Sequence, residues 1–437
     1  MRCFVRGADA SATTIDSIAL LKMLALLFVR AAVLSVRSLA PISLAITIFL
    51  LLEQLDVYGA PLPFAVRYAI RLQAGLVPVV VQLWAVAEAL FLGWYLHRRA
   101  ELQQHTTPAP LTDHQRQLIM QRTLSITEDP LRFVSGWFKF APVTSIRRGN
   151  ALEWASWSMY SKRLEDINPK AQAEVAALVR DFEARTQGQL VIPEGYEKHL
   201  APIRVSLDPI SALHRPVVSY AVTYGAHLFS WLALQRMGFS FHRTTATGHN
   251  GLGYWYRPPS IDTTLLGCGD ASGPIVLLHG IGMGLAPYLR LIEGLIRRRG
   301  MVALFLPEFP HISQRFASTP LTSSQTAQAV KNMLCAHEQV GPDIRIASSD
   351  GHLASNATFV VHSFGSLVLS WLIAQAPTLV AAAVLLDPVS LLLQEPDVAY
   401  NFIYRRPTNA IQWFFKYFVV RACLQATCWC LTASGFA

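Results

Sequence analysis

The run Val361-His362-Ser363-Phe364-Gly365 has the composition of a serine nucleophile turn. Before it, Ala357-Thr358-Phe359-Val360-Val361 is short, apolar and partly β-branched, and reads as a buried strand. After it, Leu367-Val368-Leu369-Ser370-Trp371-Leu372-Ile373 reads as a helix. A serine between the two sits at a strand–turn–helix elbow, which exposes its hydroxyl at the edge of a sheet. Such a hydroxyl attacks a carbonyl once a base takes its proton. The charge that then grows on the carbonyl oxygen needs N–H donors already in place. About eighty residues upstream, Ile275-Val276-Leu277-Leu278 leads into His279-Gly280-Ile281-Gly282-Met283-Gly284. A glycine-rich turn there leaves backbone amides open to approach. The expected donors are the amides of Ile281 and Phe364, with Ser363 as nucleophile. His279, Gly280, Gly282 and Gly365 are expected to shape the two turns.

A dinucleotide fingerprint is the rival reading of the same glycines, and its spacing fails. Gly284 comes one residue too early for G-x-G-x-x-G, so no cofactor is expected. Ser363 has an alternative role as a helix N-cap, which serine fills well. Asp387 ends the run Val384-Leu385-Leu386 and precedes Pro388. It is placed either to orient a catalytic base or to open a turn. Glu308 and Asp350 are weaker candidates for the acid. No histidine follows Ser363. His362 should face away from Ser363, because side chains alternate across a strand. His279 should support its own loop. The chain thus offers a nucleophile and a candidate acid without an evident base.

Together, His279-Gly280-x-Gly282, Val361-His362-Ser363-Phe364-Gly365 and Leu386-Asp387-Pro388 resemble the α/β-hydrolase superfamily over roughly residues 239–410. Arg204-Val205-Ser206-Leu207-Asp208-Pro209 and His214-Arg215-Pro216, behind an apolar N-terminus, are similar to fungal-type membrane members of that superfamily. The resemblance implies an α/β fold with a mostly parallel sheet, Ser363 as nucleophile, Asp387 as acid and acyl-ester or lipid-like substrates. It also implies further strands and a histidine-bearing loop after Asp387. Instead, Tyr417 runs into Phe418-Val419-Val420-Arg421-Ala422-Cys423 and the sequence stops at Ala437. The fold is therefore expected to be incomplete at its C-terminus, with 411–437 an atypical, truncated or altered tail. The first expectation is a membrane-anchored serine hydrolase of esterase or lipase type, weak for want of a base. Acyl transfer to an alcohol other than water would use the same residues. The second expectation is a non-catalytic protein that keeps the fold for binding or scaffolding.

A sheet must hold these residues, and the texture from about residue 239 supplies one. Phe239–Thr245 and Leu252–Arg257 flank Gly248-His249-Asn250-Gly251, a hairpin signal. Pro274–His279, Val302–Leu306, Phe359–His362 and Ala381–Leu386 then alternate with helix-length segments. That alternation predicts a largely parallel sheet with helices on its faces. Residues 101–238 read as a helical linker or lid, with helical spacing over Leu111–Gln121 and Pro169–Arg185. Trp137-Phe138, Trp154 and Trp157 read as packing anchors between helices. Val217–Leu234 reads as a buried or membrane-surface lid helix in preference to a third span.

Apolar residues make up 52% of the chain and charged residues 15%, with the apolar surplus in the first hundred residues. Residues 1–100 are therefore expected to anchor the protein, with transmembrane helices at about 38–56 and 74–96. Basic residues precede the first and follow the second, which places both ends, and the catalytic domain, on the cytosolic side. The expected setting is a multi-pass endomembrane protein whose partners are the lipid bilayer and an acyl-ester or lipid-like molecule. The net charge of +9 comes from scattered basic pairs with no aromatic-interleaved stripe, so nucleic acid is not an expected partner. Cys423, Cys428 and Cys430 have neither a histidine nor zinc-site spacing, so no metal is expected.

Overall fold

The computed structural model describes residues 12–57, 63–64, 68, 78–103, 111–186, 188, 190–209, 212–244, 251–259, 273–299, 302–316, 320–337, 356–391 and 393–420. They fall into two units. One comprises residues 1–101, 211–219 and 405–423, and the other residues 102–210, 220–404 and 424–437.

In the first unit, α1 (Ala12–Val57) is a single helix of 46 residues. Its second half is the span expected at about 38–56. The helix begins well before that because Lys22, Arg30 and Arg37 are separated by apolar turns with no helix breaker between them. Within Ala19–Leu55 an 18-residue window reaches a mean hydropathy of 2.1. α2 (Val79–Leu102) starts behind Pro78, whose carbonyl accepts the Val81 N–H at 2.9 Å. Proline suits the first turn of a helix; residues 74–77 of the span expected at about 74–96 lie outside the described residues. It runs on through Arg98, which pairs with Glu101 at 2.7 Å. Both helices are long and apolar enough to cross a membrane. Glu88, fully buried in α2, accepts the Val217 N–H at 2.8 Å. Arg215 donates to the Phe418 carbonyl at 2.7 Å, and Arg30 lies 5.1 Å above the Trp413 ring. These contacts join three stretches of chain far apart in sequence.

The second unit opens with four helices: α3 (Asp113–Ile126), α4 (Pro130–Trp137), α5 (Arg148–Tyr160) and α6 (Pro169–Arg185). Thr112, Asp129 and Asn168 cap α3, α4 and α6 by accepting the N–H groups of Gln115, Arg132 and Ala171. The tryptophans pack between helices as expected, with the Trp137 ring 6.2 Å from Trp154 and 5.4 Å from Trp157. Next comes α7 (Val217–Arg236), whose first three residues belong to the first unit, and then the sheet.

β1 (Ser240–Arg243) and β2 (Gly253–Arg257) form the expected hairpin, with Ser240 opposite Tyr256. Its turn residues 245–250 lie outside the described residues. The remaining elements are β3 (Ile275–Leu278), α8 (Leu289–Arg299), β4 (Leu304–Pro307), α9 (Ser323–Cys335), β5 (Ala357–His362), α10 (Gly365–Gln375) and β6 (Val380–Leu386). The strand order is β1-β2-β4-β3-β5-β6. The last four run parallel, whereas β1 and β2 are antiparallel to their neighbours, so the sheet is mixed. β3 and β5 are adjacent, in register from Ile275 opposite Thr358 to Leu278 opposite Val361. Parallel strands end on the same side, so the loop after β3 and the turn after β5 must emerge together.

Side chains divide between the faces with the period of a strand. Val276, Leu278, Phe359 and Val361 pack on α9 and α10, through Val330, Met333, Val368 and Leu372. Ile275, Leu277 and Val360 pack on the other face with Leu234 of α7 and Ile292 of α8. β6 is the exception: it is uniformly apolar, like a strand covered on both faces, yet Ala381–Leu385 are exposed, Val384 by 48%. Among the described residues it pairs only with β5.

Helix α10 starts hard against β3. A Cβ on Gly365 would lie 2.3 Å from the Leu278 carbonyl oxygen, a backbone atom that cannot swing away. We expect Gly365→Ala to separate α10 from β3 and lower stability by about 1–3 kcal/mol, the usual cost of overpacking. Denaturant unfolding of the full chain would measure it, and an unchanged midpoint would contradict this packing.

Candidate active site

Ser363 lies between the end of β5 and the start of α10 with φ of +49°, the left-handed region that a side chain resists. Its N–H donates to the Leu386 carbonyl at 3.1 Å, and its carbonyl accepts the Ser366 hydroxyl at 2.6 Å. The backbone on both sides is therefore fixed, while the Ser363 hydroxyl bonds to no group among the described residues. The helix-cap alternative requires that hydroxyl to accept an N–H at the start of α10, and no such bond is present among them. Val361 is fully buried on the α9–α10 face, and the strained conformation falls on Ser363.

The loop after β3 reaches this elbow directly. A Cβ on Gly280 would stand 2.9 Å from the Ser363 Cβ and 2.7 Å from the His362 Nδ1, so only glycine allows the approach. Neighbouring amides of the loop are engaged: Gly280 N–H donates to the Tyr288 hydroxyl at 2.9 Å, and Gly282 N–H to the Ile312 carbonyl at 2.9 Å. The amides of Ile281 and Phe364 donate to no group among the described residues. Ile281 packs against the same apolar cluster that contains Phe364.

His279 is fully buried and bridges two loops. Its Nδ1 faces the Gly280 carbonyl at 2.9 Å, which can only accept, and its Nε2 faces the Phe309 N–H at 3.1 Å, which can only donate. Those partners fix a neutral ring with the proton on Nδ1, and burial pushes its pKa down to about 4. His279 therefore ties its own loop to the loop after β4. The Tyr288 hydroxyl, which accepts from Gly280, also shares a 2.6 Å hydrogen bond with His362 Nδ1. That bond holds His362 as a clamp between the β3 loop and the elbow.

Asp387 follows β6 with φ of +43°, beside the Leu386 carbonyl that holds Ser363. It is exposed, and its carboxylate has neither a hydrogen-bond nor an ion-pair partner among the described residues. Glu308 is engaged elsewhere. It accepts Trp255 Nε1 at 2.9 Å and Arg315 Nη2 at 2.6 Å, and Arg315 reaches His227 Nε2 at 2.9 Å. Burial raises the Glu308 pKa, but the charge of Arg315 and these donors outweigh it and hold the carboxyl below its ordinary value. Asp350 lies outside the described residues.

Two supporting residues carry no signal in the sequence. Tyr288 is the shared acceptor just described. Ser366, nearly fully buried, accepts the Val389 and Ser390 N–H groups at 3.0 and 3.1 Å while donating to the Ser363 carbonyl. One hydroxyl thereby ties the elbow to the loop that carries Asp387. Nothing in the local spacing distinguishes Ser366 from an ordinary first-turn serine.

No protein-family model and no curated protein matches the chain. Among solved structures it is similar to a carboxylesterase from Bacillus subtilis, at 18% identity and a TM-score of 0.29, over 42% of this chain and 55% of that one. A membrane phospholipase A described as a bacterial virulence factor aligns at 16% identity and a TM-score of 0.26, over 40% and 47%. An α/β hydrolase from Novosphingobium aromaticivorans aligns at 18% identity and a TM-score of 0.23, over 34% and 44%. The chain spans about half the length of these proteins.

Two outcomes are expected from this geometry. Protonating His279 would set a donor against the Phe309 N–H. The unfolded chain takes up that proton near 6.5 and the folded chain only near 4. Stability should thus be full above 6.5 and fall as pH drops toward 4, by on the order of 3 kcal/mol. Denaturant midpoints across that window check this, and His279→Asn should remove that share of the slope, while His214 and His311, also held near 4 by burial, keep the rest. Ser366→Ala leaves two part-buried N–H groups without their acceptor and should cost about 1 kcal/mol, read in the same assay.

Proposed function

We propose that this chain is a membrane-anchored serine hydrolase of the α/β-hydrolase type, cleaving acyl esters through Ser363. The observation that carries the reading is Ser363 at positive φ between a parallel strand and a helix, with the Gly280 backbone against its Cβ. In the reaction, the Ser363 hydroxyl adds to the ester carbonyl carbon while its proton passes to a base. The oxyanion accepts hydrogen bonds from the Ile281 and Phe364 amides. Collapse expels the alcohol, which takes up a proton, and leaves an acyl-enzyme that water hydrolyses. Asp387 is the candidate acid that would orient the base. Apolar helices α1 and α2 keep the enzyme at a bilayer, which favours lipid-like esters.

No base is assigned to Ser363 among the described residues. No histidine follows Ser363, and its hydroxyl meets none among the described residues. Loss of one triad member lowers turnover by orders of magnitude, so this form is read as weakly active. That same observation favours a second reading, a non-catalytic member that binds a lipid-like ligand at the elbow.

A fluorophosphonate probe separates the two. We expect labelling of the full chain in detergent, slow but stoichiometric, and its loss in Ser363→Ala with the thermal unfolding profile retained. Labelling that persists in Ser363→Ala would remove Ser363 from the chemistry. A chain that never labels but retains an acyl-ester analogue would establish the binding reading.

A further inference from the structure

The loop after β4 carries a histidine to which the reaction assigns no role. His311 sits in a short 3-10 turn, Pro310–Ile312, and is half-buried. Its neighbour Ile312 accepts the Gly282 N–H at 2.9 Å, one residue beyond the proposed donor Ile281. Phe309, two residues before it, donates its N–H to His279 at 3.1 Å, and the Ser313 hydroxyl donates to the Phe309 carbonyl at 2.7 Å. The β4 loop and the glycine loop are therefore pinned to each other on both sides of His311. The imidazole itself stands edge-on to the Phe364 ring, 6.1 Å between centroids, and to the Phe309 ring at 6.2 Å. His311 thus lies beside both proposed oxyanion donors, next to Ile281 through its own loop and next to Phe364 through its ring.

The strand order fixes the side from which it approaches. β4 and β5 flank β3, so the loop after β4 reaches the elbow across the glycine loop, on the side of the oxyanion donors. A histidine there has two possible uses: taking the Ser363 proton, or donating an N–H to the developing oxyanion. The surroundings favour the second. A base must become a cation, and His311 is set between two phenylalanine rings; burial, and then the nearby His279, push its pKa down to about 4. At neutral pH the ring is uncharged and keeps one N–H. His279 shows what a bracing histidine looks like, with both ring nitrogens engaged. The ring nitrogens of His311 meet no hydrogen-bond partner among the described residues.

We propose that His311 is a third, side-chain donor of the oxyanion hole, completing the pair of amides from Ile281 and Phe364. When the Ser363 oxygen bonds to the ester carbonyl carbon, the π pair moves onto the carbonyl oxygen, and the His311 N–H donates to it. His311 keeps its proton throughout, so the balance of the ester cleavage is unchanged. The bond strengthens only as charge grows on that oxygen, which is where a donor accelerates a reaction. This deepens the proposed function and rests on Ser363 being the nucleophile.

The test treats the full chain in detergent with a fluorophosphonate, whose phosphonyl oxygen takes the oxyanion position once Ser363 is phosphonylated. Labelling rate constants are compared for the unsubstituted chain, for His311→Leu, which removes the donor, and for His311→Asn and His311→Gln, whose amides mimic the nearer and farther ring nitrogens. We expect His311→Leu to label about 100-fold more slowly, the usual loss for one oxyanion donor, and one of the two amides to recover most of that rate. An unchanged rate in His311→Leu would overturn the proposal. So would both amides labelling as slowly as His311→Leu, the result expected of a base. Proton spectra of the unsubstituted chain before and after labelling give a second readout that depends on no variant folding. A new downfield imidazole N–H resonance is expected in the adduct, and its absence would overturn the donor role. Ser363→Ala separates the two claims. If it still labels, the nucleophile reading falls and the donor role with it; if it does not label while His311→Leu is unaffected, the donor role falls alone.

Discussion

Two backbone approaches that tolerate no Cβ hold the candidate site together. Gly365 lets α10 start against the carbonyl of Leu278, and Gly280 lets the β3 loop lie against Ser363 and His362. Both are local consequences of β3 and β5 being parallel neighbours whose C-terminal ends share one edge of the sheet. With the loop that close, the chain has room to turn from strand to helix only by placing Ser363 in the left-handed region. Strain of that kind persists where surrounding structure over-determines it. Here the surroundings are the Ser363 N–H on Leu386, the Ser366 hydroxyl on the Ser363 carbonyl, and the buried strands beneath.

The polar groups around the elbow sort by this constraint. Those that brace it are fully engaged: His279 between Gly280 and Phe309, Tyr288 between Gly280 and His362, Ser366 between the elbow and the Asp387 loop. Those with a proposed role toward substrate meet no partner among the described residues: the amides of Ile281 and Phe364, the Ser363 hydroxyl and the Asp387 carboxylate. A rigid frame presenting open donors is what stabilisation of an oxyanion requires, since the donors need no reorganisation during reaction. A second polar chain, from Trp255 through Glu308 and Arg315 to His227, secures α7 by its polar side and turns its apolar side outward.

Much of this was legible in the sequence because it depends on short-range pattern. The apolar runs of β3, β4 and β5 carried their burial, the Gly248–Gly251 region marked the hairpin, and Asn168-Pro169 marked the start of α6. His279 and His362 were read as unsuited to act as base; in the structure the first is engaged between Gly280 and Phe309 and the second with Tyr288. What was not legible depends on contacts between distant segments. Tyr288 and Ser366 look ordinary in sequence, and only the adjacency of β3 with β5 and of β5 with β6 gives their hydroxyls work. The length of α1 was missed because isolated basic residues were read as ending a span, although they leave a helix intact.

The central claim is that Ser363 occupies a strained left-handed elbow and is not an ordinary helix cap. The most direct measurement is the stability of Ser363→Gly against the unsubstituted chain, by thermal unfolding in detergent. Glycine adopts that conformation freely, so relief of strain predicts a stabilisation of about 1 kcal/mol. A variant that is unchanged or less stable, as loss of a helix cap would make it, would contradict the account.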